Sequence, residues 1–246
     1  MDDLERKISL LQSYIDKAKK IVFFGGAGVS TESGVPDFRS KDGLYNQKYK
    51  YPPEMILSHS FYLNNKEEFY RFYYDKILIE GIKPNKAHLK LAEMERKGKI
   101  SSIITQNIDG LHQMAGSKKV LELHGSIHRN YCTNCKEFYD AKYMILHKGD
   151  IVPKCEKCGG DIKPDVVLYE EGLDNKIIEE TVKEISEANL LIVGGTSLVV
   201  YPAAGFLDFF NGNKLVLINK SKTNRDTEAD LIINDSIGKV FDNIKV

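Results

Sequence analysis

Seven short, nearly continuous apolar runs divide this chain, at residues 21–24, 100–105, 120–123, 165–169, 190–193, 215–218 and 231–233. A strand with one wet face alternates apolar and polar residues. A run without alternation is buried on both faces, as in a parallel sheet covered by helices. Helical patterns lie between several of the runs. Asn85 can cap a helix carrying Ala87, Leu91 and Met94 and closed by Gly98, and Asp174 can cap one carrying Ile178, Val182 and Ile185. Pro202 suits the first turn of a third, and Leu4, Ile8, Leu11 and Ile15 recur at helical spacing near the N-terminus. The alternation predicts an α/β fold: a Rossmann-like parallel sheet with helices on both faces.

Two segments interrupt the pattern. Residues 40–84 are rich in tyrosine and phenylalanine, with a helix expected around 66–78 whose Phe69, Phe72 and Tyr73 read as core packing. Residues 126–163 hold all four cysteines, as Cys132-x-x-Cys135 and, after nineteen intervening residues, Cys155-x-x-Cys158 followed by Gly159-Gly160. Two such knuckles close a tetrahedron of thiolates around a zinc ion, leaving no open position, so the zinc is structural. The expected division is therefore 1–39 with 85–125 and 164–246 as a nucleotide-binding domain, and 40–84 with 126–163 as a small helical and zinc-ribbon domain. Lysine plus arginine equal aspartate plus glutamate, 35 each, which gives no global field for nucleic acid or an anionic membrane. The apolar runs are far too short to span a bilayer, and paired cysteines at zinc spacing suit a reducing compartment, so the expected location is the cytoplasm.

The first run leads into GGAGVSTESGVPDFR, residues 25–39. Gly26, Ala27 and Gly28 suit a backbone passing close to a pyrophosphate. A hydride-transferring Rossmann protein would show a third glycine and, about twenty residues on, an acidic residue ending the next strand. Thr31 stands at the glycine position, and the polar stretch 40–50 is no strand. The nucleotide is held for a different chemistry. Gln106, Asn107, Ile108 and Asp109 follow one strand and His124-Gly125 another, where side chains point into the ligand crevice of an open α/β sheet. Capping of the next turn is an equal reading for Gln106, Asn107 and Asp109. By position alone, His112 and His124 are equal candidates for a base titrating near neutrality.

GAGVSTESGVPDFR, TQNIDGLH, LHGS, the two cysteine pairs and GTSLVVYPAA, in this order from about Lys20 to the C-terminus, resemble the motif set of the sirtuins, NAD-dependent protein lysine deacetylases, of bacterial type. The resemblance implies NAD consumed as co-substrate, with Ala27, Thr31, Phe38, Arg39, Gln106, Ile108, Asp109, His124, Thr196, Ser197, Asn219 and Ile237 around it. Phe38 and Arg39 would cover the nicotinamide ribose, and Asn219 and Ile237 the adenosine end. His124 corresponds to the catalytic base, with Asn107 and Asp109 positioning the nicotinamide end and the water. In the implied reaction the acyl oxygen attacks the anomeric carbon as nicotinamide leaves, and His124 draws a proton from the ribose hydroxyls. Lysine and O-acetyl-ADP-ribose result. The acyl-lysine protein would add as a strand between 165–169 and 199–201, flanked by Val167, Tyr169 and Val200. Tyr70-Arg71-Phe72-Tyr73 puts tyrosine where relatives that take succinyl groups carry arginine, so uncharged acyl groups are expected. Two departures stand out: Tyr169-Glu170-Glu171 where Phe-Gly-Glu is common, and Ser40 where glycine follows the arginine. The rivals are mono-ADP-ribosyl transfer, which cleaves NAD without an acyl-lysine, and a zinc-ribbon binding module.

Overall fold

The computed structural model describes residues 2–40 and 42–246; Met1 and Lys41, which fall in the expected nucleotide-binding and small domains, lie outside the described residues. Strands β1 (Ile21–Gly25), β2 (Ile100–Thr105) and β3 (Val120–Glu122) lead into β4 (Gly125–Cys132), β5 (Phe138–Asp140) and β6 (Ile162–Val166), and the chain returns through β7 (Leu190–Gly194), β8 (Lys214–Ile218) and β9 (Leu231–Ile233). Six of them form one sheet in the order β3-β2-β1-β7-β8-β9, parallel throughout.

Because side chains alternate across a strand, the unbroken apolar runs feed two cores at once. Ile21, Phe23, Ile103, Ile192, Val216 and Ile218 face one side, where Leu11 and Ile15 of helix Asp3–Lys17, Leu91 and Met94 of helix Lys86–Arg96, and Val240 and Phe241 of helix Ile237–Asp242 cover them. Val22, Phe24, Ile104, Leu191, Val193 and Leu217 face the other side, under Ile185 of helix Asn175–Ser186 and under Phe206 and Leu207. Each such side chain contributes about 1.5–3 kcal/mol by leaving water. The predicted caps are present: the Asn85 side chain accepts from Ala87 N–H at 2.9 Å, and Asp174 from the N–H groups of Lys176 and Ile177 at 2.9 and 3.1 Å. The helix expected from Pro202 is a tight three-residue-per-turn helix over Ala203–Phe209.

The other sheet is antiparallel, β5-β4-β6. The run at 165–169 is not a strand of the parallel sheet. Its strand is displaced to Ile162–Val166 and lies at the edge of this small sheet, where Pro164, lacking an N–H, is tolerated. Beyond Val166 the chain is drawn off by other partners: Leu168 N–H donates to the Glu171 carboxylate at 2.8 Å and Tyr169 N–H to Leu57 C=O at 3.0 Å. Strands β4 and β6 each run across an expected domain boundary, at 125/126 and 163/164. The helix expected over 66–78 runs regularly from Lys66 to Phe72 and then widens, with Leu78 N–H reaching back to Tyr73 C=O. Phe69, Phe72 and Tyr73 are buried as expected, in a third core shared with Tyr62, Tyr70, Tyr74, Tyr139 and Ile162. Among the described residues no helix is long and apolar enough to cross a membrane.

Candidate active site and cysteine cluster

Parallel register brings the loops that carry the expected site residues to one edge of the sheet. Gly25 of β1 pairs with Thr105 of β2 and Gly194 of β7, and Gly194 with Ile218 of β8, so these strands end level. The loops that follow, 26–31, 106–109, 195–197 and the one starting at Asn219, leave from one edge, joined by His124 after β3. The glycines of the first loop serve a close approach to protein backbone. A Cβ on Gly28 would lie 2.7 Å from Gly195 Cα, and one on Gly26 2.9 Å from Gly195 O. Gly28 N–H donates to Gly195 C=O at 2.8 Å across the same contact. Gln106 Nε2 donates to Thr196 Oγ1 at 3.1 Å, joining the loops after β2 and β7.

The structure separates the two candidate histidines. His112 is 1% exposed, neither ring nitrogen has a partner among the described residues, and the ring packs 4.8 Å from His88 and 6.2 Å from Phe23. Burial pushes its pKa well below the usual value, so it stays neutral beneath the site. His124 is half-buried on the strand-end edge. Its Nδ1 lies 2.9 Å from Gln106 C=O, and because a carbonyl only accepts, Nδ1 carries the proton. Nε2 is then the proton-accepting atom. Burial lowers the His124 pKa, with the Gln106 bond opposing, so the ring is a neutral base near pH 7.

Asn107 and Asp109 are held by a residue the sequence did not single out. Ser30, fully buried, donates to Asp109 Oδ2 at 2.6 Å and accepts from Asn107 Nδ2 at 3.0 Å. Its oxygen lies 3.4 Å from His88 Nε2, while His88 Nδ1 accepts from Asn85 N–H at 3.3 Å, which places the ring proton on Nε2, toward Ser30. Desolvation lowers the His88 pKa to about 4, so this arrangement persists at neutral pH. Asp109 Oδ1 also accepts from Leu111 N–H at 3.0 Å, so one oxygen caps the following turn while Ser30 holds the other. Asn85 completes the frame by donating to Val29 C=O at 2.8 Å and Ser33 Oγ at 3.0 Å. Ser30 sits inside the glycine-rich motif and His88 one turn into a capped helix; nothing local marks either, because their contact spans 58 residues.

The remaining expected residues fall around this frame. Ala27 and Thr31 open short tight turns after β1, and Thr31 Oγ1 donates to Gly28 C=O at 3.0 Å. Ile108 C=O accepts from Ile127 N–H at 3.0 Å. Thr196 accepts from Leu198 N–H, Ser197 is half-buried beside it, and Asn219 Nδ2 donates to Ser221 C=O at 2.9 Å. Ile237 is 2% exposed and packs where a Cβ on Gly194 would stand, so its side chain belongs to the floor under the loops. Phe38 is half-buried, and the Arg39 guanidinium lies 5.2 Å over the Tyr45 ring. Val167 N–H donates to His124 C=O at 3.0 Å, Tyr169 is exposed with both backbone groups bonded to Leu57 and His59, and Val200 is half-buried.

In the small module the four Sγ atoms lie within 4.8 Å of one another, with Cys132 and Cys158 3.4 Å apart and Cys135 and Cys155 3.6 Å. Disulfides are about 2 Å long, and a zinc tetrahedron with bonds of about 2.3 Å spaces its sulfurs by about 3.8 Å. The donor set fits zinc. The two knuckles repeat one turn: Lys136 and Gly159 both have left-handed φ, 62° and 72°, and their N–H groups donate to the carbonyls of Cys132 and Cys155.

The sequence profile described as the Sir2 family matches residues 26–202. An NAD-dependent protein deacetylase of Clostridium acetobutylicum is 60% identical over 240 residues, covering 97% of this chain and 98% of that protein. One of Clostridium perfringens is 59% identical, covering 98% of each. A solved structure of Sir2 with a p53 peptide and NAD+ is 38% identical, with a TM-score of 0.86 over 96% of each chain. Sir2 bound to an acetylated peptide gives 0.86 at 37% identity, again over 96% of each.

Proposed function

The chain belongs to the Sir2 family, and from that premise we propose that the strand-end cluster around His124 is where it works as an NAD-dependent protein deacetylase. The observation that carries this reading is the bond from His124 Nδ1–H to Gln106 C=O, which leaves Nε2 basic at the edge where the loops converge. NAD supplies an anomeric carbon whose bond to nicotinamide breaks and to whose ribose the acetyl group passes. His124 takes the ribose proton on Nε2. Asn107 spends one amide proton on Ser30 and keeps Oδ1 and its other N–H for a polar ligand; Asp109, fixed by Ser30 and Leu111, brings a charge of set position. Prearranged polar groups of this kind favour a cationic transition state because they need no reorientation.

Around these catalytic residues, Ala27, Thr31, Phe38, Arg39, Gln106 and Ile108 take the phosphate and nicotinamide-ribose end of NAD, and Thr196, Ser197, Asn219 and Ile237 the adenosine end. The acetyl-lysine peptide adds as a strand beside Val167, Tyr169 and Val200. The four cysteines hold one structural zinc, residues 40–84 with 126–163 act as the small domain, and the enzyme works in the cytoplasm without nucleic acid. Uncharged acyl groups are preferred: Tyr70 and Tyr73 are buried, and the one arginine between them, Arg71, is exposed and turned to Glu67 and Glu68, at 3.8 and 3.7 Å. An acyl carboxylate would find no arginine fork there.

The test follows peptide mass and nicotinamide together for acetyl, butyryl and succinyl peptides, with and without NAD. His124→Ala lowers deacetylation by about 100-fold or more with zinc content and melting unchanged. Retained turnover removes the role of His124. Nicotinamide release without any acyl-lysine would move the assignment to ADP-ribosyl transfer, and faster turnover of the succinyl peptide would overturn the acyl preference.

A further inference from the structure

Residues 36–40 and 42–49 make their hydrogen bonds among themselves with a single exception among the described residues. Tyr45 N–H donates to Phe38 C=O at 2.8 Å, Leu44 N–H to Asp37 C=O at 2.9 Å and Asn46 Nδ2 to Ser40 C=O at 2.7 Å. The Phe38 and Tyr45 rings are 5.4 Å apart, and Arg39 lies over the same tyrosine. Tyr45 is therefore one piece with Phe38 and Arg39. The exception is its hydroxyl, 2.5 Å from the hydroxyl of Tyr169.

Tyr169 is anchored to a different part of the molecule. Its N–H donates to Leu57 C=O at 3.0 Å and its C=O accepts from His59 N–H at 2.9 Å. The two following residues secure the same place: the Glu170 carboxylate accepts from Ser60 N–H and Oγ at 2.8 and 3.0 Å, and Glu171 Oε1 lies 2.7 Å from His59 Nδ1. The departures Tyr169 and Glu170 thus both form bonds that phenylalanine and glycine could not. Burial, and then the Tyr169 contact, push the Tyr45 pKa up, so this phenol stays protonated at all ordinary pH.

We propose that Tyr45 and Tyr169 are positioning residues whose hydroxyl-to-hydroxyl bond couples the Phe38–Arg39 side of the site to the acyl-lysine segment, so that NAD and the acetyl-lysine protein each tighten the binding of the other. This rests on the assignment above of Phe38 and Arg39 to NAD and of Val167 and Tyr169 to the peptide. Any ligand that settles one partner of the bond settles the other, and a coupling between two sites is reciprocal in free energy.

Calorimetry with carba-NAD, whose nicotinamide bond is not cleaved, and an acetyl-lysine peptide measures the coupling as the factor by which saturating peptide tightens carba-NAD. Tyr45→Phe and Tyr169→Phe, which keep the rings, each reduce that factor by about three- to tenfold. The double variant loses no more than either single one, as expected when both changes delete one bond. In turnover the KM of Tyr45→Phe for NAD at saturating peptide rises by the same factor while its kcat stays within about twofold. An unchanged factor in the single variants, additive losses in the double variant, or a wild-type protein that binds both ligands without coupling would overturn the tie and leave the site assignment standing. A wild-type protein that binds neither ligand would overturn both.

Discussion

The parallel sheet and the small antiparallel sheet solve burial by different means. Around the parallel sheet two aliphatic cores, on opposite faces of the same strands, are closed by helices on each side, and the polar groups of the strand-end edge are paired with one another. Around the small sheet the core is aromatic, and two of its buried members are cysteines from the thiolate cluster. There the hydroxyls of Tyr62, Tyr73 and Tyr74 are buried without a partner among the described residues. The four thiolates sit at the margin of that core, where a bound zinc would tie the two knuckles together. The parallel sheet is closed by aliphatic packing on both faces, and the small sheet by an aromatic core with a cysteine cluster at its margin.

Removing the metal is the strongest way to break that comparison. Structural zinc contributes on the order of 10 kcal/mol to a small fold, so chelation, or Cys132→Ala, unprotects the amides of β4 and β6 in hydrogen exchange while those of β1 and β7 stay slow. Simultaneous loss in both sheets would show that they are one cooperative unit. Acid tests the packed region. His88 has a pKa of about 4 folded against 6.5 for an ordinary histidine, so between those values the unfolded chain binds the extra proton and stability falls as pH falls. Across that window the loss from His88 is about 3 kcal/mol, read as the urea midpoint of β1-region unfolding, and His88→Asn flattens the slope; equal slopes would sink the assignment. The smallest effect separates two tyrosines of the aromatic core. Tyr73→Phe deletes an unpartnered hydroxyl and is neutral or stabilising by up to about 1 kcal/mol, whereas Tyr70→Phe deletes a bond to Ile162 C=O and loses about 1 kcal/mol. Equal melting shifts would refute the difference.

What the sequence discloses follows from how local each cause is. Runs such as 21–24 show their burial in four residues, the two Cys-x-x-Cys knuckles show their turn in five, and Asn85 and Asp174 cap the helices they precede. His124 and Asp109 are legible because they follow strands. Ser30 and His88 are not, because their roles arise from contacts between a loop and a helix far apart in the chain. The strand over Ile162–Val166 is misread for a related reason: its apolar signal is weakened by Lys163, Pro164 and Asp165, which an edge position tolerates, while the stronger signal in Val167 and Leu168 comes from a loop packed on the helical segment. His112 and His124 are equivalent by sequence position alone, and in the structure the burial of one and the Gln106 bond of the other separate them.

The register of β1 has a consequence for how the protein is made. Gly25 meets Gly194 on one side of its strand, so the segment carrying the glycine loop leaves the ribosome early and has no neighbour on that edge until most of the chain has followed. The partners of β4 lie near it in sequence, and the cysteine module can close and take up its metal in the meantime. Until β7 arrives, Ile21–Gly25 is an exposed apolar edge of the kind that holdase chaperones shield. In a growing chain, β1 waits for a partner that is synthesised long after it.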